Sequence, residues 1–178
     1  MQKQKPISLQ NTHVKLLAFD LLSLTPNPYS SDPSSTFYRR GIPLTRAETV
    51  GTVTLRDHKP NRFLRFAIDD GTGCIPCILW LNQLSSPHLA RRRSPQDLRL
   101  IADAAESSAA LVKVGVVARV RGRITAFRGS VQMTVSDVVL ERDPNAEMVH
   151  WIECVNLARN CYNVLPQPSS ASASSHPK

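Results

Sequence analysis

Arg119, Arg121 and Arg123 recur at every second position, in a stretch from Ser107 to Ser136 that contains no acid. On an extended strand that spacing puts all three guanidiniums on one face. Val116, Ala118 and Val120 take the opposite parity and can fill a core. With Lys113 and Arg128 the stretch holds five cations of a chain whose net charge is +8. Three like charges on one face repel each other, and folding alone gives no reason for them. A polyanion that offsets the repulsion does. A second basic group, Arg56, Lys59, Arg62 and Arg65, is opposed only by Asp57. Phe63 and Trp80 have outward parity, and Phe127 falls in a loop beside the same surface. Flat side chains among cations are what single-stranded nucleic acid uses, each stacked base contributing about 1–3 kcal/mol. The bland alternatives are a merely solvated basic face and rings packed in the core.

Other residues with chemical potential point nowhere. Cys74-Ile75-Pro76-Cys77 is a C-x-x-C on a strand, so its two thiols face opposite sides. Cys154 and Cys161 are two turns apart on a helix, so a shared metal site is not expected. Asp69 and Asp70 precede Gly-Thr-Gly and read as turn residues. The five His are scattered without a zinc motif or triad, so neither a cofactor nor an enzyme is expected. Arg91-Arg92-Arg93 reads as a solvated run.

The elements that must position the basic and aromatic residues follow from pattern. The 178 residues allow one domain, and 42% apolar content allows a core. Residues 1–12 read as a flexible N-terminus and 165–178, rich in Ser, Ala and Pro, as a disordered tail. No run reaches the length of a membrane span, and no signal peptide is expected. Val14, Leu17, Ala18, Leu21 and Leu24 suggest a short helix ending near Pro26, followed by a loop. Thr36–Arg40 reads as a short strand ended by Gly41 and Pro43. Alternation then predicts strands at Thr49–Arg56, Arg62–Asp69 and Cys74–Leu81, with Leu64, Phe66 and Ile68 inward. Gly51, Val53 and Leu55 are expected on one side of the first of them. Asp57 to Asn61 and Asp70-Gly71-Thr72-Gly73 supply turns. Ser94-Pro95 with Asp97 opens a helix whose buried stripe is Leu98, Ile101, Ala102 and Ala105. Strands at Gly115–Ile124 and Ser130–Val138 follow, joined by a turn at Ala126 to Gly129.

Three strands, a helix and two strands is the order of a five-stranded OB-fold barrel. The fold class is therefore all-β with flanking helices, the barrel spanning 13–143. A last helix, 144–164, carries Met148, Trp151, Ile152, Val155 and Tyr162 along one side. The barrel has little core left for it to cover, so this stripe is expected to bind a partner.

Several motifs carry a family resemblance. Phe37-Tyr38, Gly41-Ile42-Pro43, Thr49-Val50-Gly51-Thr52-Val53, Ile68-Asp69-Asp70-Gly71-Thr72-Gly73 and Cys77-Ile78-Leu79-Trp80 together resemble the Stn-one subunit of the CST telomere-capping complex. Residues 14–24 are similar to the helix that precedes the barrel in that family. The IDDGTG segment alone would also fit the middle subunit of replication protein A. That relation implies base stacking at the end of the third barrel strand and in the loop between the fourth and fifth, where Trp80 and Phe127 stand. The resemblance further implies a nuclear protein of the telomeric region that binds single-stranded, G-rich DNA. Its implied partners are the small OB subunit Ten-one, through the last helix, and the large subunit Ctc-one. Protection of 3′ overhangs and help for DNA polymerase alpha–primase in fill-in are implied too. Longer members carry winged-helix modules after the barrel, whose functions are not expected of these residues. Two other readings stay open: a general subunit like that of replication protein A, and an OB scaffold that binds only protein.

Overall fold

The computed structural model describes residues 9, 11–26, 36–82, 84 and 87–164. The loop expected after Pro26, the tail from 165 and most of the N-terminal dozen lie outside the described residues. In chain order come β1 (His13–Lys15), α1 (Ala18–Leu22), β2 (Thr25–Pro26), β3 (Phe37–Arg39), β4 (Ile42–Leu44) and the long β5 (Arg46–Lys59). They are followed by β6 (Phe63–Asp69), β7 (Cys74–Trp80), α2 (Pro87–Ala90), α3 (Pro95–Leu111), β8 (Val117–Phe127), β9 (Ser130–Leu140) and α4 (Ala146–Asn160). A 3₁₀ turn, Tyr162–Val164, follows α4.

The main sheet runs β1-β5-β6-β7-β9-β8, and β8 pairs back onto β5. That second pairing closes β5 to β9 into a barrel with the β7–β9 pair parallel, the OB topology. Closure leaves the five strands without a free edge and gives them an inside. Leu64, Phe66, Ile68, Ile75, Ile124 and Met133 fill it and are almost fully buried. α3 starts as the sequence predicts, the Ser94 side chain accepting from the Asp97 amide at 3.1 Å. It packs against β7 and β9 through Leu98, Ala102, Ala105 and Ala109, while Ile101 stays exposed.

Four local readings are corrected. The 14–24 segment is not one helix: Val14 lies in β1, which pairs in parallel with β5, and α1 is only five residues long. Val14, Ala18, Leu21 and Leu24 are all buried, so the spacing marked core positions along a backbone of mixed type. Pro43 does not end a strand but sits in β4, opposite Tyr38. The positive φ of Arg40 and Gly41 makes the turn between β3 and β4. The third correction is in β5, where the register against β6 shifts between Val53 and Leu55. That irregularity turns Leu55 to solvent and swaps the parity of everything after it. The fourth is α4, which starts at Ala146 and buries Ala146, His150 and Cys154 rather than the expected stripe.

Candidate nucleic-acid interface

After the shift, β5 presents Leu55, Asp57 and Lys59 on the face shared with Ala67, Arg65 and Phe63 of β6. One row then crosses five strands: Asp57, Arg65, Ile78, Thr134 and Arg123 are successive cross-strand neighbours. The next row holds Lys59, Phe63 and Trp80. Phe63 and Trp80 meet edge to face, their centroids 6.2 Å apart. The Arg65 guanidinium lies 4.6 Å from the Phe63 centroid and 5.5 Å from that of Phe127. Arg62 stands over Phe63 and Arg128 over Phe127. The two turns that bring these residues in are tight, with positive φ at Asn61 and at Arg128-Gly129. Trp80 and Phe127 are each 44% exposed, so neither ring is core. A groove of about 430 Å³ is lined by Asn61, Arg62, Phe63, Arg65, Trp80 and Asn82. Residues from three segments of the sequence, 62–65, 80 and 127–128, thus form one surface of rings and guanidiniums.

The Arg119–Arg121–Arg123 ladder does share one face, but it is not unopposed. Glu48 of β5 lies directly across from Arg121 and is 3% exposed. Its carboxylate accepts from Arg119 at 2.7 Å and also from Arg121 Nε. Lys15 approaches it to 3.8 Å, and Arg119 additionally bonds Glu141. Burial would raise the Glu48 carboxyl, but the hydrogen bonds from Arg121 and Arg119 outweigh it and hold the group below its ordinary 4.5. Arg119 and Arg121 are therefore committed to neutralising a buried acid, which corrects the expectation that folding gives no reason for them. Arg123 keeps its place in the groove-side row, and among the described residues no carboxylate lies within ion-pair distance of it. Arg56 is corrected too. The irregularity in β5 gives it the opposite parity from Lys59, and its Nε donates to the Val112 carbonyl at the end of α3. Lys59 sits 3.5 Å from Asp57, and both are half exposed.

A folded-state carboxyl held below its unfolded value stabilises the native state above the unfolded pKa. That contribution is lost as the pH falls through the folded pKa. Thermal melts should thus show wild type losing stability below about pH 4.5, the ordinary value for this group. Glu48→Gln should lower stability at pH 7 by about 3 kcal/mol, the cost of breaking a buried pair from one side. It should also show a shallower acid limb. An unchanged acid limb would contradict this account of the ladder.

The IDDGTG segment is a structural junction that turn chemistry alone does not reveal. Asp70 Oδ2 accepts from the Ala18 amide at 2.7 Å, capping the start of α1. Its Oδ1 accepts from the Thr72 amide and hydroxyl, and Thr72 Oγ1 accepts from the Phe19 amide. The Asp70 carbonyl takes the Trp151 indole N–H at 2.9 Å. Gly51 is needed beside it, since a Cβ there would lie 2.4 Å from the Asp69 carbonyl oxygen.

α4 has two faces. His150 is fully buried, its Nε2 3.4 Å from the Leu16 carbonyl and 3.3 Å from Cys154 Sγ. Burial pushes the Cys154 thiol up to about 12 and lowers the His150 imidazole, so neither is charged there at neutral pH. On the other face Met148, Ile152, Val155 and Trp151 are exposed, and Met148 is 65% so. Tyr162 does not join them. It is buried under the Arg39 guanidinium, which also donates to Asn163 and pairs with Asp20. Between the exposed stripe and the barrel lies an apolar groove of about 640 Å³, lined by Thr52, Thr54, Asp69, Gly71, Glu147 and Trp151 among others. Cys74 is exposed and Cys77 buried, as strand parity requires. Among the described residues no helix is long and apolar enough to cross a membrane.

Comparison with known proteins places this geometry in a family. The chain is 48% identical over 157 residues to the CST complex subunit STN1 of Arabidopsis thaliana, covering 88% of this chain and 96% of that protein. The chain belongs to the STN1 family. The bovine STN1 is 27% identical over 158 residues, covering 84% of this chain but only 42% of its own length. No family model matches the chain. Among solved structures, the S. pombe Stn1-ten1 complex superposes with a TM-score of 0.61 at 20% identity, over 83% of this chain and 91% of that one. A replication protein A heterotrimer bound to ssDNA gives 0.62 at 19%, over 84% and 97%. At those identities the likeness is one of fold, and it agrees with the closed barrel plus C-terminal helix of this STN1-family chain.

Proposed function

We propose that this STN1-family chain is a non-enzymatic single-stranded DNA-binding subunit of a CST complex. DNA lies across β6, β7 and the β8–β9 turn. One observation carries the proposal: Arg62, Phe63, Arg65, Trp80, Phe127 and Arg128 form a contiguous surface of rings and cations on the groove face of an OB barrel. Bases stack on Trp80 and Phe127. Arg65, held between Phe63 and Phe127 in the free protein, turns to the phosphates, with Arg62, Arg128, Arg123 and Lys59 along the backbone path. Arg119, Arg121 and Arg56 have structural duties instead. Family membership supports the setting, which is the nuclear 3′ overhang at telomeres, protected together with Ctc-one and Ten-one and handed to DNA polymerase alpha–primase for fill-in. The exposed Met148, Trp151, Ile152 and Val155 stripe is the surface for the small OB partner.

Salt dependence tests the DNA reading. Each phosphate neutralised on a single strand contributes about −0.7 to the slope of log K against log salt. Replacing Arg62, Arg65 and Arg128 by Gln should flatten that slope by about 2 and weaken binding to all sequences alike. A slope that stays the same, with melting unchanged, would move the DNA elsewhere on the molecule. It would also favour the scaffold reading if no other basic group replaced it.

A further inference from the structure

Trp80 is the wall between two cavities. On one side is the groove already described; on the other is a second cavity, of about 420 Å³. Its origin lies in the barrel itself. The parallel pairing of β7 with β9 extends only over Cys77–Met133 and Ile78–Thr134. Beyond it the strands part, and α3 roofs the gap with Ile101, Ala104 and Ser108. The floor is Leu79, Val135 and Val138. An aromatic wall and an apolar floor suit a flat heterocycle. Among the described residues of this lining there is one charged group, the Asp137 carboxylate, which is half exposed and 3.9 Å from Arg121 Nη1. The Ser108 and Ser136 hydroxyls donate to the Ala104 and Arg121 carbonyls, which leaves them to act as acceptors toward the cavity.

We infer that this cavity reads one base of the bound strand and that it selects guanine through Asp137. The inference rests on the proposed DNA-binding role and deepens it. A carboxylate in this cavity offers two acceptor oxygens and no donor. Of the four bases, guanine alone presents two adjacent N–H donors, N1–H and N2–H₂, on its Watson–Crick edge. Adenine and cytosine offer one amino group beside an acceptor nitrogen, and thymine one N–H between two carbonyls. A base turned past the Trp80 edge keeps a ring face on the indole. Its donor edge then reaches the Asp137 carboxylate. The groove supplies affinity without sequence preference, and the cavity adds the preference.

The test uses the full chain and short oligothymidylates carrying a single central guanine, a single inosine or no substitution, followed by fluorescence anisotropy. Inosine lacks the N2 amino group and is otherwise guanine. Wild type should prefer guanine over inosine and over thymine by about tenfold. Asp137→Asn should lose that preference while its affinity for plain oligothymidylate stays the same. Ala104→Leu fills the cavity from α3 and should lose the preference with Asp137 still present. Equal binding of guanine and inosine by wild type, with oligothymidylate bound, overturns the base-reading cavity and leaves the DNA groove standing. A guanine preference that survives both substitutions overturns it as well. Failure to bind any of the three oligonucleotides overturns the DNA reading and the cavity together.

Discussion

The double substitution Trp80→Ala and Phe127→Ala is expected to weaken single-stranded DNA binding by about 2–6 kcal/mol, at about 1–3 per stacked base. The melting temperature should scarcely move. The reasoning is geometric. Each ring is 44% exposed, and each stands with a guanidinium or a second ring rather than within the hydrophobic interior. Truncating an exposed ring leaves no cavity, so the several kcal/mol that a buried Phe or Trp costs on truncation do not apply. Phe63 behaves differently, because it is half-buried and braces both Trp80 and Arg65. Phe63→Ala should therefore lower both binding and stability. Anisotropy titrations beside thermal melts separate the cases. A double variant that melts far lower but binds as well per folded molecule would return the rings to the core.

Asp70→Ala, at a buried turn position, is expected to lower stability by about 3 kcal/mol. The carboxylate caps α1 through the buried Ala18 amide and holds the turn through Thr72. Removing it leaves the Ala18 N–H without its partner, at about 1–3 kcal/mol, and loses a cap worth about 1. In a chain of this size that is a fall of about 6–12 °C in melting temperature. Asp70→Asn keeps an acceptor for one amide only and should fall in between. Because the Asp70 carbonyl also takes the Trp151 indole N–H, loosening this turn loosens α4. The Asp70→Ala variant should accordingly lose partner binding before it loses DNA binding. A melting temperature within a degree or two of wild type would show that the junction carries no such strain of support.

Much of the barrel was legible because β6 alternates strictly and β7 does so at every position but Ile78, and alternation reports which side chains face a core. Phe63, Arg65 and Trp80 could be assigned to the outside for that reason. Pairing between distant strands is not written in alternation. Nothing local announces that Glu48 lies opposite Arg121, so the ladder read as a bare cation surface when it is half of a buried ion-pair network. One irregularity, between Val53 and Leu55, was enough to move Arg56 off the groove and onto the end of α3. Asp70 was read as a turn former, and only the fold brings α1 and α4 to it. For α4 the apolar residues were found but not their division. Its inner face is made by Ala146, His150 and Cys154, types whose size and polarity do not advertise burial, and the larger apolar residues are left outside. Tyr162 fell out of the stripe because the helix ends before it.

The chain contains two tryptophans, and they report on the two proposed surfaces separately. Trp80 belongs to the DNA groove, and Trp151 lies on the exposed flank of α4 with its indole N–H on the Asp70 carbonyl. A ¹⁵N-labelled sample therefore gives two indole N–H signals, assigned by Trp80→Phe. Titration with a short single-stranded oligonucleotide should shift the Trp80 signal and leave that of Trp151 in place, and adding the small OB partner should do the reverse. An oligonucleotide that binds and moves Trp151 while Trp80 stays still would contradict the account.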